Sequence, residues 1–283
     1  MIYDTPDAWR RAPDKRVTFF GMSGLGKTHL AQILRAQGDW FHYSIDYRIG
    51  TAYMGEYIND ELKRHAMTVP YLARLLRSDS IHVGANMSFS NLSPLSTYLG
   101  KPGDPAKGGL PIEEYARRQA LHERAEINAL LDTPAFITRA REIYGYGNFV
   151  CDTGGSIVEV VDPDDPDDQV MATLARHTLP VWIEGRPDHA DTLIARFTRD
   201  PKPMCYRPGF LQHHWDRIGG PDTDPDSFMR ETYAAAIEAR EPRYAKMARW
   251  GVKVSSADVE QVRDADDVVA LVAEAIARHR AGT

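Results

Sequence analysis

The chain has 283 residues, of which 43% are hydrophobic and 26% charged, and these ordinary globular values exclude a disordered or membrane-embedded chain. Its net charge of −6 at pH 7 gives no overall attraction to nucleic acid or anionic lipid, so any such contact would have to be local. The first residues lack the apolar core of a signal peptide, no stretch reaches the length of a membrane span, and Cys151 and Cys205 have no metal-ligand spacing, so we expect a reduced cytoplasmic protein.

A short apolar strand at residues 17–20 leads into a glycine-rich loop and then into a helical period. Residues 21–28 match the Walker A pattern G-x-x-x-x-G-K-[ST] at every fixed position. Glycines let consecutive backbone N–H groups face inward at a helix N-terminus, where the helix dipole favours a phosphate. The pattern predicts that ATP binds with Lys27 along its β and γ phosphates and with Mg²⁺ on Thr28; the alternative is an accidental match in a Gly-rich turn. The predicted nucleotide-binding residues are Gly21, Ser23, Gly24, Leu25, Gly26, Lys27, Thr28 and His29.

Residues 40–45 form the second predicted strand, which ends at Asp46. An acid at the carboxyl end of a strand beside the phosphate loop points into the crevice where open parallel sheets bind ligands, so Asp46 is a candidate site residue. The alternative is that Asp46 caps the helix that starts near Tyr47. Between residues 55 and 135 the pattern changes to helical pieces at 58–67, 69–77 and 111–131 around a polar loop at 101–109. We expect a mostly helical insertion or lobe over the sheet here, with a long loop that is functional or mobile and a possible surface for a protein partner.

The third predicted strand, 148–151, runs directly into Asp152. A carboxylate that closes an apolar strand is the Walker B arrangement, so Asp152 is predicted to hold Mg²⁺ directly or through water. Gly154 and Gly155 follow, and paired glycines let a substrate approach the backbone closely. The alternative for these residues is a plain strand-to-helix turn.

The remaining elements alternate between strand and helix. A fourth strand at 179–184 precedes a helix at 188–199 and a cationic loop from Arg199 to Arg207, which suits a lid over the phosphates or, alternatively, a solvated surface loop. A helix at 226–240, a fifth strand at 250–254 and an amphipathic helix at 266–280 close the chain. Five strands alternating with helices predict an α/β fold of three layers, with a parallel sheet covered on both faces.

Several short motifs stand in a fixed order along the chain. They are the Walker A loop, Asp46-Tyr47-Arg48-Ile49, Arg139-Ala140-Arg141-Glu142, Thr153-Gly154-Gly155, Arg207-Pro208, and Arg240-Glu241-Pro242-Arg243-Tyr244 followed by Ala248. In this order they resemble the P-loop kinases of the nucleoside-monophosphate-kinase superfamily, most closely the shikimate kinase branch. The resemblance covers roughly residues 16–54 and 136–280.

The resemblance implies roles for these residues. Asp46 would contact or deprotonate the acceptor hydroxyl, Arg139 and Arg240 would grip an anionic group of the acceptor, and Arg207, with Arg199, would close from the lid. It also implies a kinase-like core at 16–54 and 136–283, an acceptor lobe at 55–135 and a lid region at 186–225. The chain departs from the family at Ser44, which replaces an acid, at Ser156, which replaces a glycine, and in its far larger lobe, so we do not expect shikimate as the substrate.

These observations lead to one main functional hypothesis and two alternatives. We expect a Mg²⁺-dependent enzyme that transfers the γ-phosphate of ATP to a hydroxyl of a small anionic acceptor, because arginines recognise carboxylate or phosphate through paired hydrogen bonds. The first alternative is a regulatory or switch ATPase whose lobe binds a protein through an apolar face at 111–131. The second is a polynucleotide or tRNA kinase with a local basic face at Arg117, Arg118 and Arg124.

Overall fold

The computed structural model describes residues 1–186, 188–199 and 204–282. The strands are β1 (Arg16–Phe20), β2 (Trp40–Ser44), β3 (Asn148–Asp152), β4 (Leu179–Glu184) and β5 (Val252–Ser255). The helices are α1 (Pro6–Arg11), α2 (Lys27–Ala36), α3 (Ile45–Arg48), α4 (Gly55–Met67), α5 (Pro70–Arg77), α6 (Ser93–Leu99), α7 (Ile112–Leu131), α8 (Thr133–Glu142), α9 (Ile157–Val160), α10 (Gln169–His177), α11 (His189–Arg199), α12 (Pro208–Ile218), α13 (Pro225–Met247), α14 (Ser256–Val259) and α15 (Ala265–Ala281). Short π-helical and 3₁₀ turns lie at Ile49–Tyr53, Pro105–Lys107 and Ala248–Trp250.

The five strands form one parallel sheet in the order β2-β3-β1-β4-β5. β1 lies in the centre, with Phe19 in register with Asp152 of β3 and with Val181 of β4. The chain therefore leaves β1 at the point where the order of strands changes direction, which is where open α/β sheets bind ligands. This confirms the predicted five-stranded parallel α/β fold.

Helices cover both faces of the sheet because successive side chains of each strand point to opposite sides. On one face, Val17, Phe19 and Val150 pack with Leu30 of α2 and Ile276 of α15 in a continuous apolar core. On the other face, α8 and α10 contact the strands. There, the ring of Tyr43 stacks on Phe136 of α8 with 4.5 Å between ring centroids. The sheet is thus the middle of three layers.

The chain divides into two compact units. The first consists of Met1–Ile45, Glu126–Pro201 and Arg230–Thr283, and it contains the whole sheet; the second consists of Asp46–Ala125 and Lys202–Met229 and is helical. The predicted acceptor role for 55–135 and the predicted lid at 186–225 stay predictions. Part of that lid, residues 187 and 200–203, lies outside the described residues.

Some predicted ends differ from the observed ones. The second strand ends at Ser44 instead of residue 45, because Ile45 already begins α3. The helix predicted for 226–240 continues through Pro242 to Met247. The fifth strand starts at Val252, because Trp250 belongs to a 3₁₀ turn and Gly251 passes so close to β4 that a Cβ atom there would lie 1.9 Å from the carbonyl oxygen of Pro180.

The polar loop predicted at 101–109 is ordered by its own hydrogen bonds in the second unit. The amide of Gly103 donates to the carbonyl of Leu110 at 2.9 Å, and the side chain of Asp104 accepts from the amide of Ala106 at 2.8 Å. Among the described helices, none combines the length and the apolar composition that crossing a bilayer requires.

Candidate functional site

The loop between β1 and α2 is built around glycines that no other residue can replace without strain. Gly21, Gly24 and Gly26 have φ values of 146°, 79° and 92°, in the region that favours glycine. A Cβ atom at Gly21 would lie 2.6 Å from the carbonyl oxygen of Ile183, and one at Gly26 would lie 2.7 Å from Cγ1 of Val259. The loop is therefore curled, and it is held closely between β4 and α14.

Lys27 closes this loop on itself. Its side chain is buried, and Nζ donates hydrogen bonds to the carbonyl oxygens of Gly21 at 2.8 Å and Met22 at 2.7 Å. Lys27 is also the first residue of α2, whose N-terminus has no capping side chain. An ammonium group and uncapped helical N–H groups at one place form an arrangement that favours an anion.

Asp152 ends β3 beside the loop. It is in register with Phe19 of β1 and with Ser44 of β2. Phe19 lies two residues before Gly21, where the loop begins, so Asp152 is level with the end of β1. The carboxylate is buried, with Oδ2 3.6 Å from Nε2 of His42. The other oxygen, Oδ1, makes no hydrogen bond with any described residue. A buried carboxylate oxygen without a partner is costly unless something else binds it.

These donors fit Mg²⁺, which takes oxygen ligands and is usually held by one or two carboxylates together with phosphates and water. Oδ1 of Asp152 supplies a carboxylate oxygen, and the exposed side chain of Thr28 supplies a hydroxyl one residue after Lys27. Within the described ranges, no group of three or more His, Cys, Asp or Glu side chains is arranged to hold a metal.

The turn after Asp152 lies against the loop. Thr153 anchors the turn to β1, because its backbone N–H and its hydroxyl both donate to the carbonyl of Phe19, at 3.3 and 3.0 Å. A Cβ atom at Gly155 would lie 3.2 Å from the backbone nitrogen of Ser23. The glycine at 155 is therefore what allows the turn to come this close to the loop.

One turn of α13 fixes the segment that follows. Nε of Arg240 donates to Glu159 at 2.5 Å, and both side chains are more than nine-tenths buried. The guanidinium of Arg243 donates to the carbonyls of Val158 and Val161, and the hydroxyl of Tyr244 donates to the carbonyl of Gly155 at 2.8 Å. Arg240, predicted to bind an acceptor, is therefore engaged with a carboxylate of its own chain.

The N-terminus of α11 meets the loop from the side of β4. Nε2 of His189 lies 3.2 Å from the carbonyl oxygen of Ser23, and a Cβ atom at Gly24 would lie 3.5 Å from Leu193. Arg186, which follows β4, forms an ion pair with Glu260 at 2.9 Å. Between the loop and these residues lies a cleft lined by Met22, Leu25, Trp182, Arg186, His189 and Tyr244.

The other predicted residues lie elsewhere. Arg139 is exposed on α8, with its guanidinium over the ring of Phe136, and Arg199 is exposed at the end of α11. Asp46, in the first turn of α3, and Arg207 both belong to the second unit. Arg207 precedes the first turn of α12 and follows a segment, 204–206, that is bound to Gln119 of α7 in that unit.

Sequence reasoning missed five residues of this region. They are His42, Glu159, Arg186, His189 and Glu260. A histidine in the middle of an apolar strand was a visible signal for His42. The other four had no signal, because each is defined by a partner that is distant in the sequence.

A parallel sheet of this order, with a lysine-bearing glycine loop between its central strand and the next helix, defines an α/β protein of the P-loop class. No protein-family model matches the chain, and no curated protein matches it. Among solved structures it is similar to the shikimate kinase from Bacteroides thetaiotaomicron, with 14% identity over 94% of this chain and 97% of that one and a TM-score of 0.35. Because this similarity is low, the assignment to the P-loop class rests on the sheet order and on the glycine loop.

Proposed function

We propose that this protein is a Mg²⁺-dependent phosphotransferase that moves the γ-phosphate of ATP to a hydroxyl group of a small anionic acceptor. The observation that carries the proposal is the loop itself, in which the buried ammonium of Lys27 closes over the carbonyls of Gly21 and Met22 at the uncapped start of α2. Lysine and loop amides at this place would bind the β and γ phosphates and stabilise the charge that develops during transfer.

Thr28 and Asp152 are the residues that would hold the metal, which when bound neutralises charge on the phosphate oxygens. The buried, unpartnered Oδ1 of Asp152 supports this assignment. In the transfer, the acceptor oxygen forms a bond to the γ-phosphorus while the bond to the leaving ADP oxygen breaks. In the role predicted for Asp46, which stays a prediction, the acceptor's proton would pass to its carboxylate.

The turn at Gly154 and Gly155 supports an acceptor position next to the phosphates, since a Cβ atom at Gly155 would reach the loop at Ser23. The roles of Arg139, Arg207 and Arg240 on the acceptor stay predictions. An acceptor anion at Arg240 would share the guanidinium with Glu159.

The test is transfer of label from γ-labelled ATP to a component of a metabolite extract, with purified protein and Mg²⁺. We expect a labelled small acceptor, and we expect Lys27→Met to abolish it. Arg35→Met, which removes an exposed cation at the other end of α2, is the matched control and should retain transfer. Release of inorganic phosphate without any labelled acceptor would contradict the proposal.

The side chains of α7 do not favour the two alternatives. The large apolar residues of α7 are buried or half-buried, and its exposed positions carry Glu113, Ala116, Arg117, Ala120, Arg124 and Asn128, so this helix lacks the apolar face that a switch ATPase would present. Of the three arginines predicted for RNA, Arg117 pairs with Glu114 and Arg118 is buried between Glu114 and Glu61. Arg124 is exposed, so it is the one of the three that is left to face a nucleic acid, and a single cation is a small basic face.

A further inference from the structure

His42 is a polar residue in a position where the fold otherwise places apolar side chains. It lies in the middle of β2, in register with Val150, which belongs to the apolar core between the sheet and α2. Its side chain is 3% exposed. Burial of an imidazole is unfavourable unless a partner compensates for the lost water, so the residue at this position needs an explanation.

The side chain that faces His42 is the carboxylate of Asp152. Side chains two residues apart on a strand point to the same face, so His42 and Ser44 share a face with Val150 and Asp152. Nε2 of His42 lies 3.6 Å from Oδ2 of Asp152, and among the described residues His42 is the one basic side chain within 4.0 Å of this carboxylate. At 3.6 Å the contact is an electrostatic one at ion-pair distance, longer than a hydrogen bond.

The two oxygens of Asp152 have different surroundings as a result. Oδ2 faces the imidazole, whereas Oδ1 is buried and makes no hydrogen bond with any described residue. An imidazole beside one carboxylate oxygen restricts how the carboxylate can turn, and therefore the direction in which the other oxygen points. Outer partners of this kind orient metal ligands, and their loss lowers metal affinity by about 10- to 100-fold.

We propose that His42 is a positioning residue that holds Asp152 in the orientation needed to bind the Mg²⁺ of the nucleotide complex. The inference rests on the proposed function, because it concerns the same metal. It adds a residue from β2, outside the loop and outside every motif in the sequence, to the elements that set the affinity for Mg²⁺.

The experiment compares two amides at position 42. His42→Gln places its side-chain nitrogen where Nε2 of the histidine lies, whereas the shorter His42→Asn cannot reach Oδ2. Both keep a polar group in the strand, so a general disturbance of the fold affects them alike. Thr18→Val is a further control, because it removes a buried hydroxyl, bonded to Thr178 at 2.7 Å, from the central strand and from the opposite face of the sheet.

The readout is the affinity for ADP, measured by calorimetry with and without Mg²⁺. We expect His42→Asn to lower the Mg²⁺-dependent gain in affinity by about 10- to 100-fold and to leave metal-free ADP binding unchanged. His42→Gln and Thr18→Val should stay within a few-fold of the unmodified protein. In an Asp152→Asn background, His42→Asn should have no further effect, because its action passes through that carboxylate.

Equal behaviour of the Asn and Gln variants, or independent effects of His42→Asn and Asp152→Asn, would overturn the role of His42 alone. Failure of the unmodified protein to bind ADP under either condition would overturn the proposed function and this inference together.

Discussion

Gly26 combines two separate constraints at one residue. Its φ of 92° is costly for any side chain, and a Cβ atom would lie 2.7 Å from Cγ1 of Val259. The first constraint is local, while the second exists only because α14 packs against the loop. A comparison with another glycine separates them, since Gly38 has nearly the same φ, 95°, and nothing within 4 Å of its Cβ position.

We predict that Gly26→Ala lowers the free energy of unfolding more than Gly38→Ala does. Both variants pay about 1 kcal/mol or more for the left-handed backbone, and Gly26→Ala adds an overpacking cost of about 1–3 kcal/mol. Urea unfolding measures the difference, and Val259→Ala should recover part of it. Equal losses in the two alanine variants would show that the contact with Val259 has no energetic weight.

At the scale of elements, two basic side chains of α13 form ion pairs of similar length with residues outside the helix, in different surroundings. Arg240 and Glu159 are 2.5 Å apart and more than nine-tenths buried, whereas Lys246 and Asp164 are 2.6 Å apart and more than half exposed. Water screens the charges of the second pair. Removing one partner of the first pair leaves the other charge buried in the protein interior without compensation.

We predict that Glu159→Ala lowers the free energy of unfolding by about 3–5 kcal/mol, while Asp164→Ala has a much smaller effect. The loss in Glu159→Ala with Arg240→Met should be less than the sum of the two single losses, because the double variant no longer buries one charge without its partner. Denaturant unfolding of the four proteins in the cycle measures this coupling. Additive losses would contradict it.

A second element, α7, carries a polar stripe that binds the segment at 204–206 within the helical unit. The hydroxyl of Tyr115 and the amide of Gln119 donate to the carbonyl of Met204, and Nδ1 of His122 lies 3.3 Å from Sγ of Cys205. Burial lowers the pKa of His122 from 6.5 to about 4. The folded protein therefore keeps this imidazole neutral in mildly acidic solution.

We predict that stability falls as the pH drops from 6.5 towards 4. In this range the unfolded chain protonates His122 and the folded one does not, so acid favours unfolding, by up to about 3 kcal/mol for a shift of this size. Urea unfolding at pH 7 and at pH 4.5 should show a smaller acid loss for His122→Asn than for the unmodified protein. An identical loss in both would rule out His122 as its source.

At the scale of the whole molecule, the sheet order determines where a ligand can act. β1 lies between β3 and β4, so the loop after β1, the carboxylate that ends β3 and the cleft beside β4 meet at one edge of the sheet. A ligand that binds only the folded state at this edge stabilises the fold that assembles it.

We predict that ADP with Mg²⁺ raises the melting temperature of the protein. At a concentration of about 100 times Kd the stabilisation is about 2.7 kcal/mol, which corresponds to several degrees for a chain of this size. Lys27→Met should lose most of the shift at the same concentration, and Arg35→Met should keep it. A shift that persists in Lys27→Met would indicate that ADP binds outside the loop.

The sequence by itself determined the strands, the glycine loop and the class of fold, because these depend on neighbouring residues. Short apolar runs, the G-x-x-x-x-G-K-T spacing and the acid that ends β3 are all local patterns. The errors fell at element ends, where a tertiary contact decides. An example is the strand predicted from Trp250, since the approach of Gly251 to Pro180 sets where β5 begins.

The tertiary structure alone decided which side chains meet around the loop. The sequence motif predicts that Arg240 binds a ligand, yet its guanidinium donates to Glu159, 81 residues away in the sequence. The sequence places His42 in a strand and indicates nothing more about it. The register of β2 with β3 brings it beside Asp152. Charge and burial act through space, so the partner of a buried ionisable group follows from the packing of distant segments and not from the residues on either side of it.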